Sequence, residues 1–229
     1  MPIRTFHVKH FLLSLLLLPV FSSAQHFSIS TIEVKPFPIM PLKLNEIEQT
    51  LAKSPLYIVL SGEQKEWFYW TNYSRLRPKA FWDSIVTPIL KTYPNLNTDY
   101  SASLKRDLYK AEPLPLLLPN KQLMDLAAGH ANDLAKKKAN PSHNSTNGET
   151  FQQRMVNGGI KSCAAENMSF GPSNAVLALV LLYIDEKLPD LGHRMNLLNP
   201  SFKMMGIGIS SYPNNIFMIV QDLACDQSL

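Results

Sequence analysis

The sequence predicts an α+β fold in which helices precede and enclose a small antiparallel sheet. A long amphipathic helix is indicated between about Asn120 and Lys138. An almost unbroken apolar run follows from Val176 to Ile184, and the last segment of the chain is typical of a β-hairpin. No internal repeat or low-complexity tract appears, so helical and strand segments are separated along the chain as in α+β proteins.

Residues 1–24 have the composition of a signal peptide. Arg4 and Lys9 supply positive charge, an apolar stretch follows, and small residues precede a cleavage point after Ala24. The stretch is too short to cross a bilayer, because a transmembrane helix needs about 20 apolar residues. We therefore expect a secreted, extracellular protein without a membrane span.

Composition indicates which class of partner can be excluded and which cellular compartment the protein occupies. The formal net charge is only +4, and it falls further when Arg4 and Lys9 leave with the leader, which argues against a nucleic-acid partner. The only cysteines are Cys163 and Cys225. An even number of cysteines in an exported chain is typical of one disulfide, so we predict a Cys163–Cys225 bond.

The first part of the exported chain alternates between helical and irregular sequence patterns. Residues 25–62 are predicted to be an N-terminal extension that is poor in helix, with a possible strand at Leu56 to Leu60. Gln64 to Leu90 is aromatic and helical in pattern. Residues 93–112 are polar and are predicted to be irregular, and Leu114 to Leu118 is an apolar run bounded by prolines.

The second part is more regular. Asn120 can cap the long helix, residues 140–150 have the composition of a loop, and Thr150 to Val156 is predicted to be a short helix. Length favours a helix over a strand for Val176 to Ile184. The predicted hairpin has two β-branched, apolar strands at Met204–Ile209 and Ile216–Leu223. A turn at residues 212–215 joins them.

Three short segments carry side chains suited to chemistry. They contain His143 in the loop after the long helix, Glu166 within Ala-Glu-Asn-Met, and Asp185-Glu186 followed shortly by Gly-His193-Arg. Each alone has an ordinary explanation as surface or helix-end residues. His130, on the long helix, is interpreted as a surface residue.

Together these segments resemble the CAP (SCP-like) superfamily of secreted proteins. The resemblance covers about residues 64–229 and is ordered along the chain. It begins with Asn72, Arg75 and Pro78, continues through the long helix and the Ala-Glu-Asn-Met segment, and ends with Gly-His-Arg-Met-Asn-Leu-Leu-Asn-Pro at 192–200 and Gly-Ile-Gly at 206–208. The string at 192–200 is its most specific part.

The resemblance implies a CAP domain at residues 63–229, folded as an α-β-α sandwich, with residues 93–112 as an insertion. It also implies that two histidines and two acids converge in a cleft, and the matching positions are His143, Glu166, Asp185 and His193. Glu186 is the alternative to Asp185, because the two acids are adjacent.

Two functions follow from this tetrad. In the first, the protein binds an extracellular ligand, with a lipid such as a sterol or fatty acid as a candidate, and Leu114 to Leu118 either lines that site or belongs to the core. In the second, it is a metal-dependent hydrolase in which Glu166 acts as base. In both, His143 and His193 would hold a divalent metal such as zinc only weakly, since catalytic zinc usually has three protein ligands. No serine or cysteine nucleophile is evident beside a histidine.

Overall fold

The helices of the computed structural model surround a single sheet. The model describes the backbone of residues 27–29 and all atoms of residues 35–161 and 163–226, so the predicted leader lies outside the described residues. The helices are α1 (Asn45–Ala52), α2 (Pro55–Ile58), α3 (Gly62–Leu76), α4 (Pro78–Phe81), α5 (Thr87–Thr92), α6 (Asp99–Lys110), α7 (Lys121–Lys137), α8 (Phe151–Asn157), α9 (Ala175–Ile184) and α10 (Gly192–Leu197). None of the helices in this described part is long and apolar enough to cross a membrane.

The sheet has an antiparallel centre with a short parallel strand at each edge. Its strands are β1 (Phe27–Ile29), β2 (Leu118–Pro119), β3 (Ala164–Gly171), β4 (Met204–Tyr212) and β5 (Ile216–Ala224), in the order β1-β3-β5-β4-β2. The predicted hairpin is confirmed as β4 and β5, and β5 lies between β4 and β3. The register of β3 and β5 places Glu166 opposite Asp222.

The two faces of the sheet are covered by different helices. On one face, Ala127 and Ala131 of α7 pack with Met168 and Val220. On the other face, the apolar residues of α3 and α9 pack with Ile219 and other strand residues in the main core. This arrangement confirms the α-β-α sandwich. Because successive strand residues face opposite ways, even-numbered residues of β3 and β5 face α7 and odd-numbered ones face α9.

Helix α7 approaches β4 closely because two glycines leave room for its backbone. A Cβ atom added at Gly206 would fall on backbone atoms of Leu123, and one at Gly208 would fall on backbone atoms of Ala127. The Gly-Ile-Gly segment is therefore a contact surface for the helix. This contact sets the position of α7, and with it the start of the loop that carries His143.

The prediction of a strand at Leu56 to Leu60 is wrong, because Pro55–Ile58 is helical. It is preceded by α1, whose Ile47 and Leu51 are fully buried in the main core together with Tyr57. The sequence carried the signal, since Ile47 and Leu51 are four residues apart and share one face of a helix. The interpretation gave too much weight to the prolines at positions 36, 38 and 41, which end before α1 begins.

The prediction that residues 93–112 are irregular is also wrong, because most of them form α6. The side chain of Ser101 donates to the carbonyl of Thr98 and accepts from its amide, so the first turn is capped. Leu104 and Leu108 are buried four residues apart, and Lys105 and Arg106 between them are exposed. A mostly polar segment with one narrow apolar stripe is thus a surface helix.

The apolar run at Leu114 to Leu118 contributes to the interior. Leu117 is fully buried, and Leu118 pairs with Met204 at the sheet edge. The Asn72 side chain bonds both backbone groups of Leu117, donating to its carbonyl at 3.0 Å and accepting from its amide at 2.7 Å. Arg75 is also buried, and its guanidinium donates to the carbonyl oxygens of residues 115, 197, 199 and 202. These two residues tie α3 to the segment before β2 and to the end of α10 with the segment that follows it.

The predicted Cys163–Cys225 disulfide is confirmed. The two cysteines extend the pairing of β3 with β5 by one residue beyond Ala164 and Ala224, and their Cα atoms are 5.4 Å apart. The amide of Cys225 also donates to the carbonyl of Cys163. The bond therefore closes the end of the sheet that lies nearest Glu166.

Substitution of two glycines by alanine tests the packing of α7 against the sheet. Gly208→Ala should lower the free energy of unfolding by about 3 kcal/mol or more, because its methyl group would overlap helix backbone that has little freedom to move. Gly129→Ala is the control, since a Cβ there meets nothing within 4 Å. It should stabilise α7 by about 0.5–1 kcal/mol. Urea denaturation measures both, and equal effects of the two substitutions would contradict the close approach.

Candidate functional site

The first predicted pair, His143 and Glu166, is in direct contact. His143 lies in the loop between α7 and α8, and its Nδ1 is 2.7 Å from Oε1 of Glu166 on β3. Both side chains are buried, with 6% and 1% of their surfaces exposed. Thr146 anchors the loop, since its amide and hydroxyl both donate to Asp133 on α7.

Arg154 completes this pair, although the sequence analysis did not identify it. Its guanidinium donates through Nη2 to Oε2 of Glu166 at 2.6 Å and through Nη1 to the carbonyl of His143 at 2.7 Å. Phe151, Arg154 and Met155 form the buried face of α8. An arginine on an otherwise apolar stripe was the available signal, because a buried guanidinium needs an acceptor.

His130 is buried, so its interpretation as a surface residue is wrong. Its side chain has no exposed surface, its Nε2 is 2.8 Å from the carbonyl of Ser142, and it is 4.0 Å from Oε1 of Glu166. Burial lowers the pKa of His130, with only partial compensation from Glu166. Spacing would have placed it correctly, since Ala127, His130, Ala131 and Leu134 share one face of α7.

Glu166 is a buried anion held by its neighbours. Burial opposes its ionisation, but the hydrogen bond to His143 and the charge of Arg154 outweigh burial, and the pKa of Glu166 lies below its usual range. Asp222, opposite it on β5, has no hydrogen-bonding partner for either oxygen among the described residues. Burial, followed by the charge of Glu166, raises the pKa of Asp222 well above its usual range. The pKa values of these two neighbouring carboxyl groups are therefore shifted in opposite directions.

The second predicted pair, Asp185 and His193, is also in direct contact. Oδ1 of Asp185 is 2.5 Å from Nδ1 of His193, and Oδ2 accepts from the amide of Arg194 at 2.9 Å. Both side chains are buried, with 0% and 1% exposed. Glu186, the alternative acid, is exposed and accepts a hydrogen bond from Thr98, the N-cap of α6. The geometry therefore pairs Asp185, and not Glu186, with the histidine.

The turn that presents Asp185 uses unusual backbone. Asp185, Lys187 and Leu191 all have φ between 52° and 62°, in the left-handed region that residues with a side chain seldom adopt. Each such residue costs on the order of 1 kcal/mol or more and persists where surrounding contacts hold it. Asp185 is itself the C-cap of α9, so the end of that helix directs its carboxylate towards α10.

The two pairs lie on either side of β3. Asn196 is three residues after His193, and its amide donates at 2.9 Å to Oδ1 of Asn167, the residue that follows Glu166. Glu166 faces α7 and Asn167 faces the opposite side, because strand side chains alternate. The first pair therefore approaches β3 from the α7 face, while α10, which carries His193, contacts β3 from the other face.

Both imidazoles have the orientation that is common among metal-binding histidines. A ring that directs Nδ1–H to a carboxylate presents its Nε2 lone pair as the ligand atom, and the carboxylate fixes this tautomer. Within residues 35–161 and 163–226, no group of three or more His, Cys, Asp or Glu side chains is arranged to hold a metal ion. Each ring could therefore supply one nitrogen ligand to an exchangeable ion, and these residues contain no structural zinc site, which has four protein ligands.

Comparisons with known proteins were made for the whole chain. A model of the cysteine-rich secretory protein family, CAP, matches residues 71–223. Among solved structures, an extracellular protein containing an SCP domain from Bacillus anthracis is 23% identical with a TM-score of 0.46, and the match covers 81% of this chain and 45% of that one. No curated protein matches.

Two further solved structures are similar to this chain. An outer surface protein from Borrelia burgdorferi is 21% identical with a TM-score of 0.41, over 59% of this chain and 96% of that one. A cysteine-rich secretory protein from Staphylococcus aureus is 18% identical with a TM-score of 0.34, over 58% of this chain and 39% of that one. The chain therefore spans less than half the length of the Bacillus and Staphylococcus proteins.

The carboxyl pair on the sheet predicts a pH-dependent effect of Asp222→Asn. Because the pKa of Asp222 is raised in the folded state, the folded chain keeps a proton that the unfolded chain releases above about pH 4. The free energy of unfolding of the wild type therefore falls as pH rises above about 4. Asparagine does not titrate, so the variant lacks this fall. The stability of the variant relative to wild type should increase from pH 4 to pH 7 in urea denaturation. A difference that stays constant with pH would show that Asp222 is ionised when folded.

Proposed function

The chain belongs to the cysteine-rich secretory protein (CAP) family, and we propose that it is an exported binding protein whose His143 and His193 together hold a divalent metal ion such as zinc. The observation that carries this proposal is the matched pair of buried carboxylates. Glu166 and Asp185 each contact Nδ1 of one histidine, so both imidazoles are oriented to coordinate through Nε2. When bound, the ion would supply a Lewis-acidic centre with exchangeable positions for a ligand.

A shared ion requires the two imidazoles to meet at the outer edge of β3. The pairs approach this strand from its two faces, and the described residues of β1 pair only with Met168–Phe170. The edge at Glu166 and Asn167 lies just before that pairing. We place the ion and its ligand there.

Binding is favoured over hydrolysis by the contacts of the two acids. Oε1 of Glu166 contacts His143 and Oε2 contacts Arg154, while both oxygens of Asp185 are bonded to His193 and the amide of Arg194. A general base must reach the proton that it removes, directly or through one water. Two carboxylates that are almost fully buried and engaged in this way are suited to positioning imidazoles, and not to activating a water molecule.

The ligand is placed at the histidines because the apolar run offers little to a lipid. Leu117 is in the core and the backbone of Leu118 is paired in β2, which leaves only the exposed Leu118 side chain and the partly buried Leu114 and Leu116 as apolar surface in this run. Export is supported by the leader-like residues 1–24 and by the Cys163–Cys225 disulfide, which is typical of an oxidising compartment.

Zinc calorimetry on four single variants tests the proposal. His143→Ala and His193→Ala should each weaken zinc binding at least about tenfold, because each removes one of two protein ligands. Glu166→Gln should weaken it by about 10- to 100-fold through loss of imidazole orientation. Glu112→Gln is the control, since this exposed acid is not a partner of either histidine pair, and its affinity should match wild type. Acidification should weaken binding in the wild type, because a protonated imidazole cannot coordinate.

Two results would overturn the proposal. Equal zinc affinity in the wild type and both histidine variants would show that these residues do not bind the ion. Zinc-dependent cleavage of a peptide or ester library that Glu166→Gln abolishes while metal binding is retained would identify a hydrolase with Glu166 as base.

A further inference from the structure

Arg194, the residue after His193, joins three elements through a fully used guanidinium group. Arginine has five N–H donors, and each has an acceptor here. Two bonds reach carbonyl oxygens at the end of α9, those of Tyr183 at 2.7 Å and Ile184 at 3.0 Å. The other three reach α6, where the acceptors are the Tyr100 carbonyl, the Ser103 hydroxyl and the Asp107 carboxylate at 3.0, 2.8 and 2.9 Å.

The same residue contacts the second histidine pair. The amide of Arg194 donates to Oδ2 of Asp185, and the other oxygen of Asp185 contacts His193. A displacement of the Arg194 backbone would therefore disturb the carboxylate that orients the imidazole. The intervening turn has Asp185, Lys187 and Leu191 in the left-handed region, a conformation that persists where surrounding contacts hold it.

Helix α6 is a firm support for this contact. Leu104 and Leu108 are fully buried in the main core, so the helix is fixed to the body of the domain. At its start, the hydroxyl of Thr98 donates to Glu186, the residue after Asp185, at 2.6 Å. Contacts with both Glu186 and Arg194 hold the turn between α9 and α10 at its two ends.

We propose that α6 is a clamp that positions His193, with Asp107 as its positioning residue acting through Arg194. The insertion at residues 93–112 thus has a role in the site, although none of its residues contacts the histidine pair directly in the bonds described above. The proposal rests on the proposed function only in that His193 is a ligand. Asp107 is half-exposed and Arg194 is buried, so the carboxylate can be changed without opening a cavity in the core.

The experiment compares Asp107→Ala with Asp107→Asn and with Glu112→Ala. Asparagine keeps an acceptor for Arg194, and Glu112 is an exposed carboxylate just beyond α6 that is not among the five acceptors of Arg194. The first readout is the NMR signal of the His193 Nδ1 proton in metal-free protein, which reports its hydrogen bond to Asp185. The second is zinc affinity, and thermal unfolding controls for stability.

In Asp107→Ala, the His193 signal should shift or broaden and zinc affinity should fall about five- to tenfold, with Tm lowered by no more than about 4 °C. Asp107→Asn should recover most of the affinity, and Glu112→Ala should match wild type. An unchanged His193 signal in Asp107→Ala would overturn the clamp, as would an equal effect of Glu112→Ala. If wild-type protein fails to bind zinc, the metal proposal fails, but the NMR comparison still decides whether α6 positions His193.

Discussion

The structure depends on the burial of the Glu166 carboxylate between the sheet and α7. Removing one partner of a buried ion pair costs about 3–5 kcal/mol, so an ionised group at this position requires its donors to be in place. Arg154 and His143 supply them at 2.6 and 2.7 Å, and they come from α8 and from the loop before it. The need to compensate one charge therefore fixes where α8 and the His143 loop lie relative to β3.

The second pair also contains a buried carboxylate that is compensated by donors from neighbouring elements. Asp185 is buried at the end of α9 and is satisfied by a side chain and a backbone amide of α10. In each pair a carboxylate on a core element orients an imidazole on a less regular one, a loop in the first case and a short helix in the second. Buried acids that orient the histidines are an arrangement suited to coordination, since ligand orientation is a large part of metal affinity.

Sequence reasoning predicted the elements whose signal is local. The long helix, the α9 helix, the hairpin and the disulfide all follow from periodicity, length or compartment. Sequence reasoning did not identify His130 and Arg154 as buried, and each of them is a polar residue on an otherwise apolar helix face. It also predicted α6 to be irregular, because most residues of that helix are polar and only a narrow stripe is apolar. The family resemblance named the four residues of the two pairs, but it could not show which oxygen meets which ring, because those contacts join segments that are far apart in the chain.

Crystals grown without metal and then soaked in zinc would test the central claim most directly. Anomalous diffraction at the zinc edge locates the ion without assumptions about its ligands. We expect one peak at the outer edge of β3, about 2.0–2.1 Å from Nε2 of both His143 and His193, with Nδ1 of each ring still facing its carboxylate. Zinc bound to only one of these histidines, or coordinated by Glu166 or Asp185 in place of an imidazole, would contradict it.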